Sequence, residues 1–170
     1  MKKIAFALLF IGMGAAHAEK VVIDMHLVDA KGAGKMIGHI QAEDSPYGLL
    51  LTPELSDLTP GIHGFHVHQN PDCGSREMEG KMVPGLAAGG HYDPSHAEHH
   101  EGPYASGHLG DLPALTVDQE GHATLPVLAP RLKVSDLKGR SLMIHAGGDN
   151  YSDKPALGGG GPRMACGVLK

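Results

Sequence analysis

Tryptophan is missing from this chain, and only three Phe and four Tyr stand among its 170 residues. So few aromatics leave no obvious anchor for a large dimer patch, and a monomer and a homodimer suit the sequence equally. Basic charge is also scarce. Fourteen Lys and Arg face nineteen Asp and Glu, with no basic run and no interleaving of basic and aromatic residues. Nucleic acid is therefore not an expected partner. Past the N-terminal segment no apolar run approaches the ~20 residues that a membrane-crossing helix needs, so no membrane span is expected. Cysteine occurs only twice, at Cys73 and Cys166.

What is present begins with a targeting pattern. Lys2 and Lys3 form a basic start, Ile4 to Ala15 are mostly apolar, and Ala16-His17-Ala18 fits a small-x-small cleavage site. Residues 1–18 are read as a cleaved signal peptide and 19–170 as one domain of 152 residues, enough for a proper core. Without Lys2 and Lys3, twelve basic side chains remain against nineteen acidic ones, a formal charge of −7. Export permits the two cysteines to pair. A bridge would close a loop of about 94 residues, which the chain-entropy model values at about 4–5 kcal/mol. Two separate buried thiols are the alternative.

The hydrophobic pattern is that of short strands. Val21, Ile23, Met25 and Leu27 alternate along one face. Further strands are expected over 35–41, 47–52, 62–68, 114–117, 122–128, 141–146 and 164–169, with turn signals between them. The Asp118–Gly121 stretch reads as a hairpin-type connection. About eight short strands define an all-β sandwich or barrel. Two segments break the rhythm: 69–113, rich in Gly, Pro and His without a strand or helix period, and 147–162, which contains four consecutive glycines at 158–161. Irregular stretches this long in a compact domain are usually functional or disordered, and the histidines and cysteine of the first favour an ordered, metal-pinned loop.

Chemistry concentrates in the histidines. His66 and His68 are two apart on an expected strand, so they share a face while Phe65 and Val67 take the other. Such a pair holds one metal ion, and imidazole suits copper. Downstream come His91, His96, His99, His100, His108 and Asp111, a donor set of the kind zinc takes tetrahedrally. His96 and His99 lie close enough in sequence to compete with His100. His145, on a later strand, is positioned to join His66 and His68, and His91 is able to serve either ion. His26, His39, His63 and His122 fit no metal motif and are read as surface or packing residues.

The segments Gly64-Phe-His-Val-His68, Gly89-Gly-His-Tyr-Asp-Pro94, His100-Glu-Gly-Pro103, Gly107-His-Leu-Gly-Asp-Leu-Pro113, Ile144-His145 and Arg163-Met-Ala-Cys-Gly-Val168, in that order, resemble the copper/zinc superoxide dismutases exported by bacteria. The resemblance implies an eight-stranded Greek-key β-barrel or sandwich, immunoglobulin-like in architecture, with two long functional loops. It implies a periplasmic enzyme that converts superoxide to oxygen and hydrogen peroxide by alternate reduction and reoxidation of a histidine-bound copper. One copper and one zinc per chain would be held, copper by His66, His68, His91 and His145, and zinc by His91, His100, His108 and Asp111. His91 would bridge the two ions and serve as a proton source. Arg163 would guide the anion, Asp149 would bond the outer nitrogens of one ligand of each metal, and Cys73 would pair with Cys166. A non-catalytic periplasmic copper/zinc-binding or copper-delivery protein is the alternative.

Overall fold

The computed structural model describes residues 19–170; the expected signal peptide, 1–18, lies outside the described residues. Seven strands form one antiparallel sheet. β1 (Lys20–Asp29), β2 (Gly32–Ser45) and β3 (Gly48–Leu55) follow one another as a meander. β4 (Gly61–His63) and β5 (Phe65–His68) are two halves of one extended stretch. β6 (Arg76–Met78) and β7 (Lys81–Val83) form a separate hairpin, followed by β8 (Leu115–Val117), β9 (Val127–Ala129), β10 (Arg140–His145) and β11 (Arg163–Leu169). The order in the main sheet is β5-β10-β11-β1-β2-β3-β9, and β4 pairs with β8. The sheet curls around a core to which every one of its seven strands contributes, including Ile23, Ile40, Leu51, Phe65, Val67 and Leu142.

The alternation expected in β1 is observed: Ile23 and Met25 are buried while Val22 and Asp24 are exposed. It fades where the β1–β2 register slips between Met25 and Val28, as a bulge makes it do. The stretch 61–68 divides at Gly64, whose carbonyl accepts from His145 N–H and whose N–H donates to the Gly147 carbonyl. The first half joins β8 and the second joins β10, so the chain changes partners at the glycine.

Two expectations need correction. The stretch 122–128 is not one strand. Ala123 makes an isolated bridge to Leu55, and ladder pairing resumes only at Val127, because Pro126 has no N–H to give. The segment 69–113 is not free of regular structure either: it contains the β6–β7 hairpin and a short 3-10 turn, Leu86–Ala88. Glu79 and Gly80 both have positive φ (53° and 77°) at the hairpin tip, as a two-residue primed turn requires.

Cys73 and Cys166 are disulfide-bonded. The bridge pins the start of the long loop to β11, three residues from Arg163. With β5 and β10 adjacent in the sheet, two separated parts of the sequence supply the floor on which that loop folds back.

Candidate metal centre

β5 is buried on both faces. Phe65 and Val67 enter the core, whereas His66 and His68 face the folded-back loop; β10 adds His145, which ends the strand. The loop brings His91 against β5 through an isolated bridge to His68, and Asp111 through another to His66. Ligating atoms of His66, His68, His91 and His145 all lie within 4.8 Å of one another, and so do those of His66, His91, His100 and Asp111. All of these residues are buried.

Hydrogen bonding decides which nitrogen each ring keeps free. His68 Nδ1 donates to the Gly89 carbonyl (2.9 Å) and His145 Nδ1 to the Gly161 carbonyl (3.1 Å), leaving their Nε2 atoms 3.4 Å apart. Two lone pairs thus face each other, an arrangement that calls for a cation between them. His66 Nε2 donates to Asp149 Oδ2 (2.7 Å), so only its Nδ1 remains, buried without a partner. One free nitrogen serves one ion. That nitrogen lies within reach of both groups.

His91 differs. Its Nδ1 sits 3.0 Å from Asp111 Oδ1, and its Nε2 is buried without a partner. One nitrogen faces each group. On the second side His100 Nε2 donates to Asp149 Oδ1 (2.8 Å). His100 Nδ1 lies 2.8 Å from Asp111 Oδ2, yet both atoms lack a properly aligned hydrogen bond. Side-by-side donors of this kind are what two ligands of one ion look like. His108 Nδ1, also buried and unpartnered, stands 3.5 Å from Asp111 Oδ1, at the edge of the second group rather than within it. His96 and His99 are not in either group: His99 faces the Ala97 carbonyl and Glu101 instead.

Asp149 ties the two groups together. Its side chain is 0% exposed and accepts from His66, His100 and the Tyr151 N–H. Burial alone would raise its pKa, as it would that of Asp111. The hydrogen bonds from the histidines hold both carboxyls well below the usual range. Burial, together with the neighbouring His91, pushes His66 down to about 3, and burial brings His145 to about 4. These rings stay neutral near pH 7 and keep a lone pair to offer. Burial works against charge on His100 too, yet Asp111 and Asp149 push it up to about 9, so without a metal a proton occupies that place. Unpartnered buried nitrogens, facing lone pairs and an imidazole-carboxylate set fit copper on the first side and zinc on the second.

Arg163 borders the first group. Its Nη1 donates to the Gly85 carbonyl and its Nη2 to the Gly89 carbonyl, both at 2.6 Å. Gly89 thus receives both Arg163 and His68, fixing the guanidinium beside the ligand. Arg163 is opposite His145 in the β10–β11 register. It is half-buried, which lowers its pKa, but a guanidinium stays charged.

Sequence reasoning placed His63 among the surface or packing histidines and gave the glycines beside the centre no role. His63 is a buried packing residue whose Nδ1 lies 2.8 Å from the His145 carbonyl and whose Nε2 lies 2.7 Å from that of Thr59. Gly158, at φ +71°, lies so close to Asp149 and His100 that any Cβ would collide with both, and Gly160 packs against the His145 ring. The glycine run was visible in the sequence, but its reason, a wall against the centre, was not.

Fold and site together define a β-barrel protein with two adjacent buried groups of metal-binding side chains that share His66 and His91. Residues 36–169 match the family model for copper/zinc superoxide dismutase. The chain is 54% identical over its whole length to the whole of a superoxide dismutase [Cu-Zn] of Pasteurella multocida. The Cu/Zn superoxide dismutase of Brucella abortus superposes with a TM-score of 0.87 at 51% identity, covering 89% of this chain and 100% of that one. The monomeric copper, zinc superoxide dismutase of Salmonella enterica gives 0.81 at 51% identity over the same shares. The chain belongs to the copper/zinc superoxide dismutase family.

Proposed function

We propose that this chain dismutes superoxide in the periplasm: two superoxide anions and two protons give one dioxygen and one hydrogen peroxide. The observation that carries the reading is His91, buried between two donor sets with an unpartnered Nε2 on one side and Nδ1 beside Asp111 on the other. His66, His68, His91 and His145 hold copper; His91, His100, His108 and Asp111 hold zinc. Copper held there would supply the one-electron couple that the reaction needs, and His91 would be the ring common to both sets.

The protein's own contribution is binding, orientation and protons. Arg163 offers a fixed positive charge at the edge of the copper set, held by the Gly85 and Gly89 carbonyls. A small anion is drawn to that local field although the domain as a whole is acidic. His91 Nε2 is the atom positioned to take up a proton and pass it to the departing product. Asp149 keeps the Nε2 protons of His66 and His100 in place, so each ring presents Nδ1 inward.

Export after Ala18 accords with the basic, apolar and small-residue pattern and with the Cys73–Cys166 bridge, which persists in an oxidising compartment. Every residue named comes from one chain, so the site is complete in a monomer and in a homodimer alike.

Metal analysis of the purified mature protein, paired with a superoxide-consumption assay, tests the reading. One copper and one zinc per chain with turnover is expected. Both metals without turnover would make it a binding protein instead.

A further inference from the structure

The loop between His100 and His108 has few backbone partners of its own. It is a run of turns and bends, closed internally by His108 N–H donating to the His99 carbonyl and by Glu101 accepting from Ser106. Its remaining carbonyls need donors from elsewhere. One side chain supplies four. Arg131 Nε donates to Pro103 (3.1 Å), Nη1 to Gly107 (3.0 Å), and Nη2 to Gly102 (3.2 Å) and His108 (2.6 Å). No carboxylate among the described residues pairs with it. The arginine is itself fixed, since its neighbours Ala129 and Leu132 are in the core and Leu132 N–H donates to the Ala129 carbonyl.

The four carbonyls fall at the two ends of the loop, at residues 102–103 and 107–108. His100 lies two residues before one end; His108 is part of the other, and Asp111 lies three residues beyond. We propose that Arg131 is the positioning residue that preorganises His100, His108 and Asp111, holding the zinc donor set in register before the ion arrives. This rests on the assignment of zinc to that set.

Charge and geometry make opposite forecasts. A bare positive charge near a cation site opposes zinc, so its removal would tighten binding. A clasp favours zinc, so its removal weakens binding. A planar guanidinium spans four carbonyls, whereas the single ammonium of lysine cannot.

The test is zinc titration of the metal-free mature protein against a chromophoric chelator, for wild type, Arg131→Met and Arg131→Lys, with copper affinity measured in parallel. Both variants are expected to bind zinc ~10–100-fold more weakly, as outer-partner losses do, while copper affinity stays near that of wild type. Unchanged or tighter zinc binding in Arg131→Met, full affinity in Arg131→Lys, or equal loss of both metals would overturn the inference. Should Arg131→Met not fold, Arg131→Lys read against the same copper control decides it. A wild-type protein that takes no zinc would instead sink the underlying assignment.

Discussion

Gly158→Ala perturbs chiefly Asp149, and to a lesser degree His100, without replacing either residue. At Gly158 the backbone has φ +71°, and a Cβ would lie 1.9 Å from Asp149 Oδ1, where contacts under 3.0 Å do not occur. The carboxylate must retreat by roughly 1 Å, enough to stretch a 2.8 Å hydrogen bond beyond its useful range. The bond from His100 goes first, and the one from His66 weakens with it. Each involves a charged acceptor and contributes about 1.5–3 kcal/mol. With about 1 kcal/mol for an alanine in left-handed conformation, metal-free protein should lose about 3–5 kcal/mol. For a domain of this size that is a drop of roughly 10 °C in Tm. Gly139→Ala is the matched control: its φ is also +71°, but nothing lies within 4 Å of the added carbon, so only the backbone cost of about 1 kcal/mol applies. Scanning calorimetry of the three metal-free proteins reads the difference. Equal melting of the two variants would refute the claim that Asp149 tethers both donor sets.

Other outcomes follow from the same geometry. Arg163→Ala should slow superoxide consumption while copper and zinc contents stay at wild-type levels, and the wild-type rate should fall as ionic strength rises, because screening weakens steering; lost copper in the variant, or a flat salt profile, contradicts the assigned role. Replacing Cys73 and Cys166 by alanine opens a loop spanning 93 positions and should destabilise the domain by up to about 4–5 kcal/mol in denaturant unfolding. pH should act on the metal-free protein with a definite sign. His66 and His145 titrate at about 3 and 4 when folded, below the ~6.5 of the unfolded chain, so the unfolded state binds protons that the folded state refuses. Stability should fall as pH drops from about 6.5 toward 4. His100, pushed up to about 9, acts oppositely: its contribution is full below about 6.5 and fades as pH rises toward 9. An unchanged denaturation midpoint between pH 7 and pH 4.5 would contradict the buried neutral rings.

The periodic parts of the chain were readable as sequence. β1, β2, β3, β10 and β11 alternate or bury whole runs, and His-x-His on a strand announces a shared face. What was illegible has physical reasons. The β6–β7 hairpin has three-residue strands with almost wholly exposed side chains, so no hydrophobic period marks it. Pro126 broke a strand that composition alone favoured. In the centre, the ligand types were visible but the choice of nitrogen was not, since that depends on Gly89, Gly161 and Asp149, residues distant in the chain. Arg131 gave no signal at all, because its partners are backbone carbonyls, which every sequence has.

A crystal structure of the mature protein loaded with zinc and with copper kept in the oxidised, Cu(II) state, with anomalous scattering recorded at each metal's absorption edge, bears most directly on the shared ring. Two distinct ions should appear, copper against His91 Nε2 and zinc against Nδ1. A single ion, or two ions with His91 bound to only one of them, would contradict the account.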